Sequence, residues 1–168
     1  LSNIKQAMLP IIAAVGGMLF PALIYSNMLF FVFHCTRDHV QLVQKLIKDK
    51  KLYNCNSISD EKFKLHVLKS SFFAIAKSGT ISLEICNEKK PSIIIYKMSS
   101  INFLIVKLLV NVKFANIINI AANEEIIPEL LQSECNSLNL FNRVDKLLND
   151  KKGIELQITK TQQIISKF

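Results

Sequence analysis

The sequence predicts an α/β fold, a mostly parallel, doubly wound sheet preceded by an apolar N-terminal helix. Short unbroken apolar runs, "SFFAIA" (Ser71–Ala76) and "SIIIY" (Ser92–Tyr96), have the length and continuity of strands covered on both faces. Segments with apolar residues at helical spacing separate such runs, and strand–helix alternation implies parallel pairing. A third observation sets the front apart. From Met8 to Phe33 there is no charged residue, and beyond Arg37 polar and apolar segments alternate.

The 168 residues suffice for one domain with a core, or for one domain with a short appendage. Half of them are hydrophobic and 20% charged, which excludes global disorder. The net charge of +8 favours acidic partners: nucleic acid, an anionic membrane face or a phosphorylated substrate. Lysines cluster at 48–51, 88–90 and 149–153, each after an apolar periodic run, where cations also suit helix C-termini. Cys35, Cys55, Cys86 and Cys135 form no CxxC pair and read as reduced thiols. His34, His39 and His66 have no ligand spacing, so no metal site is expected.

In chain order, the stretch from Met8 to Phe33 exceeds the roughly 20 apolar residues that span a bilayer core, and reads first as a membrane helix. "LFFVFHC" (Leu29–Cys35) is either a buried strand or the tail of that helix. Val40, Leu42, Val43, Leu46 and Ile47 place an amphipathic helix over Asp38–Lys50. Ser59 or Asp60 caps the next, with Phe63, Leu65, Val67 and Leu68 as its apolar side. The strand over Ser71–Ala76, a helix from Thr80 towards Asn87 and the strand over Ser92–Tyr96 complete a β-α-β unit, with Phe31, Val32, Phe72, Ile75, Ile93, Ile94 and Ile95 expected in the sheet. Ile101–Val110 reads as an apolar helix and "FANIIN" as a short extended piece. Asn136 caps a helix that reaches Asn149, Gly153 stops it, and Ile154–Lys167 forms the last helix.

Two stretches are site-like. In "AKSGTISLE" (Ala76–Glu84) a buried strand ends at Lys77, Gly79 permits a tight turn, and Ser78 or Thr80 caps the following helix. Helix N-terminal amides there suit an anion, and Glu84, about one turn further on, can meet a sugar hydroxyl; the same turn also serves as a plain helix cap. In "NIINIAANEEIIPELLQSEC" (Asn116–Cys135) the adjacent Glu124 and Glu125 invite an acid/base reading. Neighbours on a helix point about 100° apart, however, and an acidic helix start explains them as well.

These blocks, "AKSGTISLEICNEKKPSIIIYKMS" and "LLVNVKFANIINIAANEEIIPELLQSEC", resemble the C-terminal domain of lipid-A-disaccharide synthase over about residues 30–168. The resemblance implies a Rossmann-like, nucleotide-binding half of a GT-B glycosyltransferase that uses a UDP-glucosamine-derived donor and a lipid-linked monosaccharide acceptor. It implies that Ser78, Gly79, Thr80 and Glu84 bind the donor, that Asn119 stands near the reaction centre, and that Glu129 and Gln132 of "ELLQ" bind substrate. No cofactor, metal or nucleic acid is implied; the place is the cytoplasmic face of the inner membrane, at the membrane surface. Where the family commonly has Leu-Pro-Asn and Ala-Gly-Arg-Glu, this chain has Ile117-Ile118-Asn119 and Ala122-Asn123-Glu124-Glu125, an Arg-to-Glu charge reversal and a lost glycine.

The opening "QAMLPIIAAVGGMLFPALIY" (Gln6–Tyr25) resembles a transmembrane helix of NhaA-type sodium/proton antiporters over about residues 3–25, without an intramembrane carboxylate to bind an ion. The expected organisation is therefore an antiporter-like helix over 1–28 and a UDP-sugar-binding domain over 29–168, the remnant of a truncated synthase that lacks its acceptor domain and is inactive alone. Two alternatives remain: a membrane-anchored antiporter remnant, or one half of a split enzyme with a separate N-terminal half.

Overall fold

A computed structural model describes residues 11–15, 30–52, 54–98 and 113–167. They fall into two compact units divided between Ala76 and Lys77. The first carries β1 (Ile11–Val15), β2 (Phe30–His34), α1 (Arg37–Asp49), β3 (Cys55–Ile58), α2 (Glu61–Ser70) and, up to Ala76, β4 (Phe73–Lys77), its strands in the order β3-β2-β1-β4. β2 and β3 pair in parallel, Phe31 opposite Cys55 and His34 opposite Ile58, with α1 as the crossover. This is the right kind of connection for parallel neighbours, which a tight hairpin cannot join.

β1 takes the place of the apolar helix expected over 1–28 at Ile11–Val15, the residues of that stretch that are described. Its sequence, IIAAV, pairs antiparallel with β2 (Ile11 opposite His34) and with β4 (Ile11 opposite Ala76). Apolar length says only that a segment is to be buried. Here two strands offer ladder partners on both sides, and β-branched Ile11, Ile12 and Val15 suit a pleated surface. The other residues of that stretch, up to Leu29, lie outside the described residues. The pairing also makes the sheet mixed in this unit rather than wholly parallel.

α2 starts where Asp60 accepts the Lys62 amide at 2.7 Å, the first-turn cap that a helix N-terminus needs. Its apolar side is narrower than the sequence suggests. Leu68 is buried, but Phe63 and Leu65 are 62% and 41% exposed. Phe63 is five residues from Leu68, about 140° around the helix, and cannot share its face. β4 is buried from Phe73 to Ala76; Phe72 stands just before it, half-buried.

The second unit contains α3 (Ile81–Asn87), β5 (Ser92–Tyr96), α4 (Ile117–Ala122), β6 (Glu129–Leu131), a short 3-10 turn (Gln132–Glu134), α5 (Ser137–Asn149) and α6 (Lys151–Ile165). β5 and β6 are parallel, Ile94 opposite Glu129 and Tyr96 opposite Leu131. Ile85, Cys86, Ile93, Ile94, Ile118 and Ile127 are almost wholly buried, so the unbroken apolar run of β5 does mark a strand covered on both faces.

Three local expectations change in this unit. "FANIIN" is not extended: Ile117–Ala122 is helical, because Asn116 accepts the Ile118 amide at 2.9 Å and so starts a helix. Glu124 and Glu125 begin no acidic helix but stand in the loop after α4, and the chain then enters β6, where Pro128 presents its carbonyl to the Ile94 amide at 2.9 Å. Gly153 does not stop a helix but lies in the first turn of α6, its amide donating to Asp150 at 2.8 Å; Asp150 is the break between α5 and α6. The helix expected over Ile101–Val110 lies outside the described residues. Among the described residues no helix is long and apolar enough to cross a membrane.

Candidate functional site

The turn after β4 is built from its own residues. Gly79 adopts φ +150, a conformation L side chains rarely take, and a Cβ there would meet nothing within 4 Å. The glycine is needed for backbone freedom, not for space. Ser82 closes the turn: its hydroxyl donates to the Gly79 carbonyl at 2.7 Å and its amide at 3.2 Å. Thr80 stands at the N-cap of α3 without a side-chain cap bond, and Gly79, Thr80 and Glu84 are all exposed. The Lys77 ammonium lies 5.7 Å from the centre of the Tyr96 ring, a cation–π distance.

Ser78 turns the other way. Its hydroxyl donates to the Ala115 carbonyl at 2.5 Å. The Ala115 and Asn116 amides in turn donate to the two carboxylate oxygens of Glu129, at 2.7 and 2.9 Å. Glu129 is 5% exposed, and Asn119 supplies its third donor at 2.8 Å. Asn119 itself is fully buried. Its amide nitrogen also donates to the Ile127 carbonyl at 2.7 Å, and its oxygen accepts the Ile126 and Ile127 amides, each at 2.9 Å. A carboxamide has two N–H donors and two acceptor lone pairs, so Asn119 is saturated by protein groups. Gln132, left-handed at φ +48, accepts the Met98 amide at 3.1 Å just beyond the carboxyl end of β5.

The structure thus gathers Ser78, Asn119 and Glu129 into one interior network through the Ala115–Asn116 segment. Gly79, Thr80 and Glu84 stay at the surface, and Gln132 fixes a different loop. Sequence reasoning missed Asn116, Ser82 and Gln157. An Asn directly before a helix is a readable cap signal for Asn116; nothing in the sequence marks Gln157, whose partners lie up to 65 positions away.

Glu124 and Glu125 share no task. Glu124 is paired with Lys160 at 2.5 Å, and Glu125 accepts the Glu129 amide at 3.2 Å. Asn123, where the family motif has Gly, takes the left-handed conformation at φ +51, which Asn tolerates better than most residues. A cleft of about 180 Å³ lies among Glu124, Pro128, Arg143, Lys146, Gln157 and Lys160. It opens at the amino end of β5, where Gln157 bonds Ser92, whereas ligands of open α/β sheets sit beyond the carboxyl ends. Among the described residues no group of three His, Cys, Asp or Glu could hold a metal ion. Burial pushes the Cys86 thiol up to about 11, against a smaller opposing hydrogen bond with Thr161, and also raises Cys35 and Cys55. None of these thiols is built as a nucleophile.

Buried parallel strands, crossover helices and a glycine turn that leads from strand to helix define an α/β protein with its polar interior directly behind that turn. The family model for lipid-A-disaccharide synthetase (LpxB) matches residues 3–168, and the chain belongs to that family. Lipid-A-disaccharide synthase of Rickettsia prowazekii (strain Madrid E) is 32% identical over 144 residues, 86% of this chain and 37% of the relative. That of Rickettsia felis is 36% identical over 131 residues, 77% of this chain and 32% of the relative. That of a Sulfurihydrogenibium species is 38% identical over 118 residues, 70% of this chain and 29% of the relative. The chain therefore spans about a third of the length of the relatives it matches. The family match begins at residue 3 and takes in the segment that resembles an antiporter helix. That resemblance, and the antiporter alternative built on it, is not supported.

Proposed function

We propose that residues 29–168 are the UDP-sugar-binding part of a lipid-A-disaccharide synthase, a glycosyltransferase of lipid A biosynthesis. The observation that carries this reading is the exposed Gly79–Thr80 turn, with Glu84 on the next helix, in a chain of this family. In this reading the turn faces the donor diphosphate, Glu84 meets a ribose hydroxyl, and Gln132 borders the sugar. Ser78, Glu129 and Asn119 act from within, and Asn119 serves the reaction centre by the backbone it holds. The lipid-linked acceptor and the acid/base residues belong to the two-thirds of the relatives' length that this chain does not span. Turnover then needs that part as well, and the working place is the cytoplasmic face of the inner membrane. Glycosyl transfer requires donor, acceptor and base to be held together, so the part spanned here, taken by itself, is expected to bind without turning over.

Calorimetry with UDP tests the reading. Weak, saturable binding by the chain, with no disaccharide formed from donor and acceptor, is the expected result. Absence of binding by folded protein would reduce Ser78–Glu84 to a helix cap, and disaccharide formation by the chain alone would mean the catalytic groups lie in it.

A further inference from the structure

We propose that Glu129 is a positioning residue: its buried carboxylate holds the Ala115–Asn116 peptide against the Ser78 hydroxyl, and so sets the Ser78–Gly79–Thr80 turn without touching a ligand. The inference rests on the reading that this turn takes a UDP-sugar. The Ala115 carbonyl and the Asn116 amide belong to one planar trans unit and point in opposite directions. Ser78 takes the carbonyl at 2.5 Å, and Glu129 takes the amide at 2.9 Å. One peptide is therefore gripped at both poles. The other carboxylate oxygen takes the preceding amide, that of Ala115, at 2.7 Å.

The choice of a carboxylate follows from its partners. All three groups facing Glu129 are N–H donors, and an ionised carboxylate is the side chain that only accepts. Glutamine has nearly the same shape but would aim its NH₂ at one of those donors. Turning Asn119 over cannot relieve the clash, because its oxygen holds the Ile126 and Ile127 amides. At 5% exposure, with both oxygens engaged, Glu129 has no surface to offer a sugar or nucleotide.

The test uses the full chain, with amide hydrogen exchange measured in the absence of UDP and UDP affinity measured by calorimetry. Glu129→Gln is expected to speed exchange at Ala115 and Asn116 about tenfold or more before any nucleotide is added, and to weaken UDP binding about tenfold. Loss of UDP affinity with both amides still protected would make Glu129 a ligand contact and overturn the proposal. Faster exchange with unchanged affinity would overturn it too, since the segment would not govern the turn. Ser78→Ala removes the grip at the opposite pole and serves if Glu129→Gln does not fold. It should raise Asn116 exchange and lower affinity, Ser78→Thr should restore both, and no change in either would refute the idea. A parent chain that binds no UDP overturns the functional reading instead, and exchange alone then decides whether Glu129 holds the segment.

Discussion

Gly79 is the residue on which the exposed turn depends, and its role is conformational. With nothing within 4 Å of a Cβ, Gly79→Ala meets no atom, yet it forces φ +150 on a residue that resists it. A cost of about 1–3 kcal/mol is expected, read as a lower urea midpoint with an unchanged slope. Cys86 makes a second prediction. Its folded value of about 11 lies above the ordinary thiol value of 9.0, so near pH 10 the unfolded thiol has lost a proton that the folded one keeps. The stabilisation is complete below about 9 and disappears as pH rises through about 11, roughly 3 kcal/mol in all. Cys86→Ser, titrated by urea unfolding between these pH values, should flatten that loss. Glu124, a reversed charge by its family motif, is neutralised by Lys160 within a partly exposed pair. Glu124→Arg sets two cations together and should cost about 0.5–1 kcal/mol, measured as a small fall in Tm.

Helices in the second unit are fastened by side chains more than by propensity. Asp150 caps α6 through the Gly153 amide, and a Cβ on Gly153 would run into the Asp150 carboxylate. Replacing a helical Gly by Ala ordinarily gains up to about 1 kcal/mol, and losing an Asp cap costs about the same. Gly153→Ala alone should therefore leave stability nearly unchanged, whereas in an Asp150→Ala background it should stabilise. A double-mutant cycle in urea reads the difference. Gln157, on the same helix, donates to the Ser92 and Ile126 carbonyls and accepts the Ser92 amide at 2.7 Å. Gln157→Leu leaves buried backbone groups without these partners and should cost about 2–4 kcal/mol by chemical unfolding.

For the whole molecule the decisive fact is that family membership extends over the chain while the chain spans about a third of its relatives. Under the proposed function, binding and turnover are then expected to be separable. Mixed with a separately produced N-terminal half of a Rickettsia relative, the chain should co-elute on size exclusion and form disaccharide, while neither part does so alone. Without complex formation, the split-enzyme form of the proposal is wrong.

The α/β class, the strand over Ser92–Tyr96 and the cap at Asn136 were legible because each rests on residues close in sequence: an unbroken apolar run, or an Asn that accepts the Asn139 amide at 2.9 Å. The turn at Gly79 was legible for the same reason. β1, β6 and the interior network were not, because a strand exists only by virtue of its neighbours. IIAAV became a strand when β2 and β4 came to lie on either side of it. "PELL" became one when the Ile94 amide met the Pro128 carbonyl. The family resemblance singled out Ser78, Asn119 and Glu129 as expected site residues. Only the tertiary structure directed the Ser78 hydroxyl inward from the turn and buried Asn119 and Glu129 behind it, because burial and saturated hydrogen bonding arise when Ala115–Asn116, the 126–127 loop and β6 are brought together.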